Sequence, residues 1–310
     1  MIKTVTLNAA VDKTYYLDAF LPESVNRAAE VYAVPGGKGL NAARVVHALG
    51  GRTQATGIVG GSNGQFIRTG LDAAGIAHDF AETEGESRLC LNFISRETNA
   101  STEVLEPGPT IGEAELAQVA LKVTDGLTDS DIVILSGSLP KGAPAETYGK
   151  LIALIRQSGA RAFLDTSGAA LVHGLEATPF FIKPNKDEAE ALLGISVRDE
   201  HEVAATVRHW MAAGIACPIV TLGASGSIAG FGGTCYRVHA PRIEAVNTVG
   251  CGDSFVAGMA VAMRGGMPIR EALRFATAVG AANALTRHAG EVYESDVLRL
   301  TEQVEVTELS

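Results

Sequence analysis

Short apolar strand patterns that alternate with helical patterns constrain the fold of this chain most strongly. Strands are predicted at residues 131–135, 162–165 and 218–222, and helices at 145–157 and 202–212. Strands that alternate with helices form parallel sheets whose two faces are covered by helices. The sequence therefore predicts an α/β fold with a largely parallel central sheet and helices on both faces.

The composition narrows the class of protein. The chain has 310 residues, of which 46% are hydrophobic, enough for one large α/β domain or two ordinary ones. Its formal net charge of −10 argues against nucleic acid or an anionic membrane surface as a partner. The cysteines show no CxxC spacing, which indicates reduced thiols and argues against zinc and disulfides.

The sequence carries no pattern of membrane targeting. Residues 1–5 lead directly into a strand and lack the layout of a signal peptide. No apolar run reaches the roughly 18 residues that a membrane span needs. We expect a cytoplasmic protein without a membrane partner.

The stretch from Asn247 to Phe255 is the clearest candidate for chemistry. Gly250 and Gly252 flank Cys251, and Asp253 follows just before an apolar helical run. A helix start presents unpaired N–H groups and a positive dipole end, and glycines let an anion come close. Asp253 is then either a helix cap or a base that deprotonates a hydroxyl attacking a phosphate. The local pattern by itself favours the cap.

A second glycine cluster precedes the helix predicted to end near Leu49. Gly36, Gly37 and Gly39 surround Lys38, which suggests an anion or ligand site. The cluster is not a P-loop, because Gly39 and not Ser or Thr follows Lys38. Its glycine spacing also differs from that of a dinucleotide fingerprint.

Polar residues follow several of the predicted strands. In open α/β sheets, ligands bind outside the carboxyl ends of the strands, so these residues should converge on one edge. They are Asn8 and Asp12, Ser136 to Ser138, Lys183 to Asn185, Thr221 to Gly223, and Gly250 to Asp253. Their convergence supports a site more strongly than any single motif.

Further short strands are predicted at residues 15–20, 28–34, 88–95 and 102–105, with a turn at 96–101 between the last two. They are predicted to form a small sheet apart from the main core. We expect one α/β domain over residues 1–310, with a discontinuous β lid at about 13–34 and 88–106.

Taken together, these motifs make the sequence resemble the ribokinase-like superfamily, in particular its phosphofructokinase-B family. The matching stretches are residues 6–12, 35–41, 136–140, 183–188, 221–223 and 247–254. Residues 25–27, 39–41, 102–106 and 241–243 look most like the tagatose-6-phosphate kinases of that family. The sequence departs from the family at Ala9, where Pro is usual, and at Cys251, where Ala or Ser is usual.

The resemblance implies a role for each matching residue on the acceptor side. Asp253 would be the catalytic base, and the N–H groups of Gly250, Cys251 and Gly252 would form an anion hole. The residues implied for the phosphorylated sugar are Asp12, Gly37 and Asn41 for its hydroxyls, Lys38, Arg88 and Arg27 for its phosphate, and Ser138 as a further contact.

The resemblance also implies ATP and Mg²⁺. The implied nucleotide-binding residues are Lys183, Asn185, Thr221, Gly223, Gly226 and Asn283. Glu188 and Asn185 would hold Mg²⁺ through water, which suits a metal that keeps several of its waters. Whether a monovalent cation binds near Asn247 and Val249 is left open by the sequence.

The activity implied is ATP-dependent phosphorylation of a ketohexose monophosphate to a bisphosphate, most like tagatose-6-phosphate kinase. The phosphorylation of fructose 1-phosphate, or of fructose 6-phosphate, is the alternative within the family. A kinase for a neutral sugar or nucleoside, a sugar-phosphate sensor and a nicotinamide dehydrogenase are weaker alternatives. A homodimer formed through the β lid is also expected.

Overall fold

A ten-stranded sheet and a four-stranded sheet organise the part of the chain that the structure, a computed structural model, describes: residues 1–98, 100–194 and 199–309. Residue 99, within the predicted turn at 96–101, lies outside these residues. The strands are β1 (Ile2–Thr6), β2 (Ala10–Leu17), β3 (Glu30–Gly36), β4 (Thr53–Val59), β5 (Ala77–Glu82), β6 (Arg88–Ser95), β7 (Ser101–Leu105), β8 (Ile132–Ser136), β9 (Arg161–Asp165), β10 (Phe181–Ile182), β11 (Cys217–Thr221), β12 (Ser227–Phe231), β13 (Thr234–His239) and β14 (Glu305–Leu309).

Helices connect most of the strands of the large sheet. Within the described residues they are α1 (Lys38–Ala48), α2 (Gly61–Ala73), α3 (Glu113–Thr124), α4 (Thr147–Gln157), α5 (Gly168–Glu176), α6 (Lys186–Leu193), α7 (Glu200–Ala212), α8 (Cys251–Arg264), α9 (Ile269–Ala284) and α10 (Glu294–Thr301). None of these described helices combines the length and the apolarity that crossing a bilayer requires.

The large sheet has the order β14-β13-β12-β11-β10-β9-β8-β1-β4-β5. The seven strands from β11 to β5 pair in parallel, whereas β12, β13 and β14 extend the sheet with antiparallel pairs. The predicted α/β fold with a largely parallel sheet is confirmed.

Alternating side chains of the central strands supply two cores. On β8, Ile132 and Ile134 join a core with α1, α8, α9 and α10, whereas Val133 and Leu135 join a core with α3, α4, α5 and α7. Successive strand residues point to opposite faces, so an uninterrupted apolar strand requires helices on both sides. This double cover fixes the large sheet as the rigid base of the site.

The small sheet has the order β3-β2-β6-β7, and we call these four strands the lid sheet. β2 pairs antiparallel with β3 and parallel with β6, and β6 pairs antiparallel with β7. Val11 and Leu89 anchor its base against Ile67 and Leu71 of α2. The strands fall largely within residues 13–34 and 88–106, where the lid was predicted, and its function as a lid stays a prediction.

One boundary of the lid sheet corrects the sequence analysis. β2 begins at Ala10, whereas the strand was predicted from residue 15, so Asp12 lies inside β2 and not in a loop after β1. Polar residues interrupt the apolar pattern of this strand because one of its faces lines a cavity. Strand pairing with β3 and β6 over Asp12 overrides the weak local pattern.

The carboxyl ends of the parallel strands bring the predicted polar residues to one edge. Ser136 ends β8, Asp165 ends β9 and Thr221 ends β11, while Lys183 directly follows β10. Asn185 forms a parallel bridge with Thr221, which holds the two loops together. The site is therefore assembled at the edge where open α/β sheets bind their ligands.

Candidate active site

A cavity of about 550 Å³ opens between the lid sheet and the carboxyl edge of the large sheet. Both predicted glycine clusters and most of the predicted site residues line it. Those residues are Asp12, Gly37, Lys38, Asn41, Arg88, Ser138, Lys183, Asn185, Thr221, Gly250, Gly252 and Asp253.

A second cavity of about 490 Å³ adjoins the first. Asn185 and Thr221 line both cavities, and Gly223 lines the second. The two cavities therefore meet at the ends of β10 and β11. The residues predicted for the sugar that line a cavity lie in the first, whereas Gly223 alone of those predicted for the nucleotide lines only the second.

Asp253 lies in the first turn of α8, and the residue that caps this helix has a left-handed backbone conformation. Gly250 is the N-cap, with a φ of 83°, a conformation that glycine adopts at little cost. No side chain caps a backbone N–H at this helix start within the described residues. Asp253 Oδ2 instead accepts a hydrogen bond of 2.8 Å from Asn41 Nδ2 on α1. The carboxylate thus accepts its hydrogen bond from the neighbouring helix α1 and does not cap the N–H groups of α8. This arrangement leaves it available as a base.

The Asp253 carboxylate is buried, and this burial raises its pKa to about 6. The Lys38 ammonium opposes the rise and the Asp165 carboxylate adds to it. The group is therefore ionised at neutral pH yet basic enough to accept a proton, which suits a general base.

The backbone at the start of α8 provides part of the predicted anion hole. The N–H of Cys251 already donates to Thr248 O at 3.4 Å, which weakens its predicted role. The N–H groups of Gly250 and Gly252 have no protein acceptor among the described residues. A Cβ at Gly252 would lie 3.2 Å from Lys183 Nζ, so glycine there lets the ammonium approach the helix start closely.

Two lysines share one buried carboxylate beside Asp253. Lys38 Nζ and Lys183 Nζ each lie 3.3 Å from an oxygen of Asp165. Burial favours the protonated form of Asp165, but the two ammonium groups outweigh it and hold its pKa below the usual range. Asp165 chiefly raises the pKa of Lys38 in turn, so both partners stay charged.

The lid sheet contributes Asp12 to the same cavity. Its carboxylate lies over the backbone of Gly36, where a Cβ would come within 2.1 Å of Asp12 Cγ. Burial raises the pKa of Asp12, against the lowering effects of Arg44 and of the hydrogen bond from the Gly37 N–H. The thiol of Cys90 also hydrogen-bonds Asp12, and burial raises the pKa of that thiol to about 11.

Arg88 and Ser138 stand at the outer part of the cavity. Arg88 Nε donates to Asn8 O at 3.2 Å, and its Nη1 donates to Glu106 O at 3.3 Å. A guanidinium has five N–H donors, so others remain for a ligand. Asn8 Nδ2 donates a hydrogen bond to Ser138 Oγ at 3.4 Å. Arg88 and Ser138 therefore both contact Asn8, which lies between β1 and β2.

Arg27 and Gly226, both predicted site residues, line neither of the two cavities. Arg27 is exposed in the loop between β2 and β3, and it does not line the cavity of its own chain. Gly226 has a φ of 96°, and a Cβ there would lie 2.0 Å from Val238 O. Glycine there permits a tight backbone approach, and the predicted nucleotide contacts of Gly226, Thr221 and Gly223 stay predictions.

Asn283, a predicted nucleotide-binding residue, lies on α9 and lines neither of the two cavities. Its side chain is fully buried, and its Oδ1 accepts from Ser254 Oγ at 3.0 Å and from Gly290 N at 2.8 Å. Its Nδ2 donates to Val249 O at 2.9 Å. Both polar atoms of the side chain therefore brace the start of α8, and the predicted contact with the nucleotide stays a prediction.

The thiol of Cys251 lies in the same brace, 3.6 Å from Asn283 Nδ2. Cys251 is half-buried, and burial raises the pKa of its thiol. The thiolate is the reactive form of cysteine, so a raised pKa lowers the reactivity of Cys251, which stands where Ala or Ser is usual in the family.

Asn185 and Glu188 form a reciprocal cap at the start of α6. Glu188 N donates to Asn185 Oδ1 at 2.8 Å, and Asn185 N donates to Glu188 Oε2 at 2.9 Å. Glu188 uses Oε2 for this cap, so its second carboxylate oxygen can accept a hydrogen bond from a metal-bound water. The described residues contain no group of three His, Cys, Asp or Glu that could enclose a metal ion. This donor set fits Mg²⁺ held through water beside nucleotide phosphates, and not a metal caged by protein ligands.

The sequence analysis missed several residues of the cavity wall. Asp165 ends a predicted strand, as the other polar strand ends do, and this signal could have identified it. Arg287 and His288 follow α9 and line the cavity, and the ring of His288 stacks on Tyr32 of the lid sheet with centroids 3.6 Å apart. No local signal marks Arg287 or His288, because tertiary packing alone brings them to the site.

The site thus places a buried carboxylate in the first turn of a helix, with two ammonium groups nearby. Residues 5–296 match the profile of the pfkB family carbohydrate kinases. The chain therefore belongs to this family, within the ribokinase-like superfamily, and is an enzyme that transfers phosphate to a hydroxyl group of a sugar.

Solved structures agree with this assignment. A protein from Staphylococcus aureus with the provisional name phosphofructokinase is 32% identical, with a TM-score of 0.87 and coverage of 100% of this chain and 99% of that one. Phosphofructokinase-2 from Escherichia coli, solved in complex with potassium, is 27% identical, with a TM-score of 0.93 and coverage of 97% and 98%. A Thermotoga maritima protein provisionally named 1-phosphofructokinase shares the fold, with 23% identity, a TM-score of 0.90 and coverage of 100% and 99%.

Replacing the base with its amide tests the role of Asp253. We expect Asp253→Asn to lower kcat by roughly 10²–10⁴-fold, because an amide cannot accept the proton. The variant should stay folded, since it removes a buried charge without changing the shape of the side chain. Steady-state kinetics with circular dichroism measure both. Asp72→Asn, exposed on α2 and outside both cavities, is the control, and an Asp253→Asn enzyme with near-normal kcat contradicts the assignment.

Proposed function

We propose that the chain transfers the γ-phosphoryl group of MgATP to a hydroxyl of a ketohexose monophosphate, giving a bisphosphate, with tagatose 6-phosphate as the first candidate. The observation that carries this proposal is the position of the Asp253 carboxylate in the cavity between a lid-side set of cations and the start of α8. The tagatose-like segments of the sequence support the choice of sugar.

Cations in the first cavity support an acceptor that already carries a phosphate. Arg88 of the lid sheet and Arg287 of the loop after α9 line it, and Lys38 lies at the start of α1. A guanidinium suits bidentate recognition of a phosphate, and neither Arg88 nor Arg287 has a carboxylate partner among the ion pairs of the described residues. Arg27, in contrast, lies outside this cavity.

The second cavity supports the nucleotide. Asn185, Lys186, Thr221 and Gly223 line it, and Lys183 stands where it meets the first. Mg²⁺ would be held by Asn185 and Glu188 through water and would neutralise charge on the ATP phosphates. A monovalent cation near Asn247 and Val249 is part of the proposal, since the Escherichia coli relative has been solved with potassium.

The chemical step is an in-line displacement. The acceptor hydroxyl loses its proton to the Asp253 carboxylate while its oxygen bonds to the γ-phosphorus and the bond to the leaving oxygen of ADP breaks. The N–H groups of Gly250 and Gly252 face the transferring group, and Lys183 adds positive charge beside them. Closure of the lid sheet over the sugar excludes water, which would otherwise accept the phosphoryl group.

Fructose 1-phosphate and fructose 6-phosphate are the other acceptors to consider. The Escherichia coli relative has been solved with fructose 6-phosphate and is 26% identical in that structure. A sugar-phosphate sensor without turnover is the alternative outside catalysis, and the complete Asp253 site weighs against it. The expected cytoplasmic location stays a prediction.

We also propose that two copies associate through the lid sheet. Large apolar residues are exposed there, and β7 is an edge strand whose residues are all exposed. Edge strands with apolar faces pair readily with another chain. The exposed apolar residues of this region are Leu21, Val25, Val31, Val104 and Leu105, and the rings of Tyr15, Phe20 and Phe93 stack beside them.

Comparing acceptors tests the substrate. We expect kcat/KM with MgATP to be highest for tagatose 6-phosphate, and clearly lower for fructose 6-phosphate, fructose 1-phosphate and unphosphorylated tagatose. A coupled assay for ADP measures each value. A preference for one of the fructose phosphates would replace the proposed sugar, and binding without turnover of any acceptor would support the sensor.

Removing the lid-side guanidinium tests the phosphate site. Arg88→Ala should raise KM for the sugar phosphate by about 10-fold or more and leave KM for ATP nearly unchanged, because a charge-assisted hydrogen bond is worth roughly 1.5–3 kcal/mol. Initial-rate kinetics with each substrate varied in turn measure the two constants. Arg96→Ala, just beyond the far end of the same strand, is the matched control. Equal rises in both KM values would contradict the role.

A charge on the lid edge tests the dimer. Val104→Asp should shift the chain toward a monomer in sedimentation equilibrium, because an aspartate would be buried without a partner at the interface. Leu121→Asp, on the exposed face of α3, is the matched control and should leave the mass unchanged. A wild-type monomer, or a dimer unaffected by Val104→Asp, would refute this interface.

A further inference from the structure

Arg44 lies on α1, one turn after Asn41, and it touches three separate parts of the chain. Its Nη2 donates to Asn41 Oδ1 at 2.8 Å and to Ala289 O at 2.6 Å. Its Nη1 donates to Pro35 O, in the strand β3 of the lid sheet. The guanidinium is only partly exposed, and it lines neither cavity. No role in the reaction follows from its position alone.

The hydrogen bond with Asn41 decides which way the amide faces. A guanidinium can only donate hydrogen bonds, so the Asn41 atom beside Arg44 must be the acceptor oxygen. The other end of the amide, Nδ2, then faces Asp253 Oδ2 at 2.8 Å. A neutral amide would otherwise have no intrinsic preference between its two orientations.

We propose that Arg44 is a positioning residue for phosphoryl transfer, which fixes the Asn41 amide so that it donates to the ionised carboxylate of Asp253. This proposal rests on the proposed role of Asp253 as the base. Arg44 touches neither substrate, and it acts through Asn41.

The physical consequence concerns the protonation state of the base. Without the Arg44 guanidinium, only Asp253 orients the Asn41 amide, and the amide can turn its oxygen toward Asp253 when that carboxyl is protonated and donates. This second arrangement stabilises the protonated carboxyl and so raises its pKa. The charged groups that face Asp253 from the other elements are Lys38, Lys183 and Asp165, and all three remain in place. The base should therefore become harder to ionise, and less of it is active at neutral pH.

The hydrogen bond with Ala289 extends the same effect to the anion hole. A Cβ at Gly250 would lie 2.8 Å from Ala289 Cβ, so the loop after α9 packs directly under the start of α8. The next residue, Gly290, lies so close to Asn41 that a Cβ would come within 2.9 Å of its Cα. Arg44 thus holds α1 and this loop in one register, and with them the base and the N–H groups beside it.

The test compares two replacements of Arg44. Arg44→Met removes the donors and the charge, whereas Arg44→Lys keeps the charge but lacks the planar fork that reaches Asn41, Ala289 and Pro35. Arg299→Met, on the exposed face of α10, is the matched control. The kcat of each enzyme is measured from pH 5.5 to 9 with the best ketohexose phosphate.

We expect both Arg44 variants to lower kcat at pH 7 by about 10–100-fold, as misplacement of a catalytic group does. The acid limb of their pH profile should move upward by at least half a pH unit, while KM for ATP and the Arg299→Met profile stay unchanged. A shifted limb in Arg44→Met with a normal limb in Arg44→Lys would mean that charge alone acts, and would overturn the positioning role. Unshifted limbs in both variants would overturn it as well.

A double-mutant cycle with Asn41→Leu tests the route. If Arg44 acts through the amide, Arg44→Lys should shift the acid limb no further in the Asn41→Leu background than Asn41→Leu does alone. Additive shifts would contradict the route. This cycle uses the lysine variant, so it does not depend on whether Arg44→Met folds.

A measurement without substrate separates this inference from the proposed function. The Asp253 carboxyl is titrated by ¹³C NMR of aspartate-labelled protein, with its signal assigned by its disappearance in Asp253→Asn. An upward shift in Arg44→Lys supports the positioning role even if none of the three ketohexose phosphates is turned over. An unchanged titration refutes it even if the wild-type enzyme is an active kinase.

Discussion

The site depends on two carboxylates and two ammonium groups that share one enclosed space. Asp165 and Asp253 are both buried, and Lys38 and Lys183 balance their charge. A buried ion costs several kcal/mol unless a partner and hydrogen bonds compensate for it. Asp165 takes both lysines at 3.3 Å, so Asp253 keeps a neutral amide as its nearest donor. Because the two lysines pair with Asp165, its pKa is lowered, whereas burial raises the pKa of Asp253. The two carboxylates thus suit different roles, Asp165 as a charged structural group and Asp253 as the proposed base.

The fold makes this division possible because each of the four groups comes from a different element. Asp165 ends β9 and Lys183 follows β10, while Lys38 and Asp253 lie in the first turns of α1 and α8. Parallel strands deliver their polar ends to one edge, and the helix starts face the same edge. The start of α1 can lie close to β1 only because residue 39 is a glycine: a Cβ there would lie 2.4 Å from Thr6 Oγ1. The glycines of the sequence motifs therefore serve packing as much as anion binding.

Features that depend on residues close together in the sequence could be predicted, whereas features that depend on tertiary contacts could not. The fold class was predictable, because strand–helix alternation is a local pattern. The glycines before a helix also singled out Asp253 locally, but that pattern favoured a helix cap, and only the resemblance across the whole chain implied a base. Asp165 has only the signal of a strand end, and its importance depends on two lysines that lie far from it in the chain. The contacts of Asn283 with the start of α8 were not foreseen, because periodicity shows that a helix is amphipathic but not which neighbour its polar side chain meets. Asp12 was misplaced because strand pairing extended β2 beyond its apolar part.

The interactions between the lid sheet and the large sheet suggest why sugar recognition and water exclusion belong together. They include the stacking of Tyr32 on His288 and the hydrogen bonds of Arg44 with Pro35 O and of Arg88 with Asn8 O. An opening of the lid sheet would have to separate the stacked rings, while the two hydrogen bonds lie at its root, where β3 ends and β6 begins. If the outer part of the sheet moves, these bonds would keep the root of the sheet, which carries Asp12 and Arg88, in position. A sugar phosphate bound between them would bridge both parts, so the ligand itself supplies the interaction that favours the closed state.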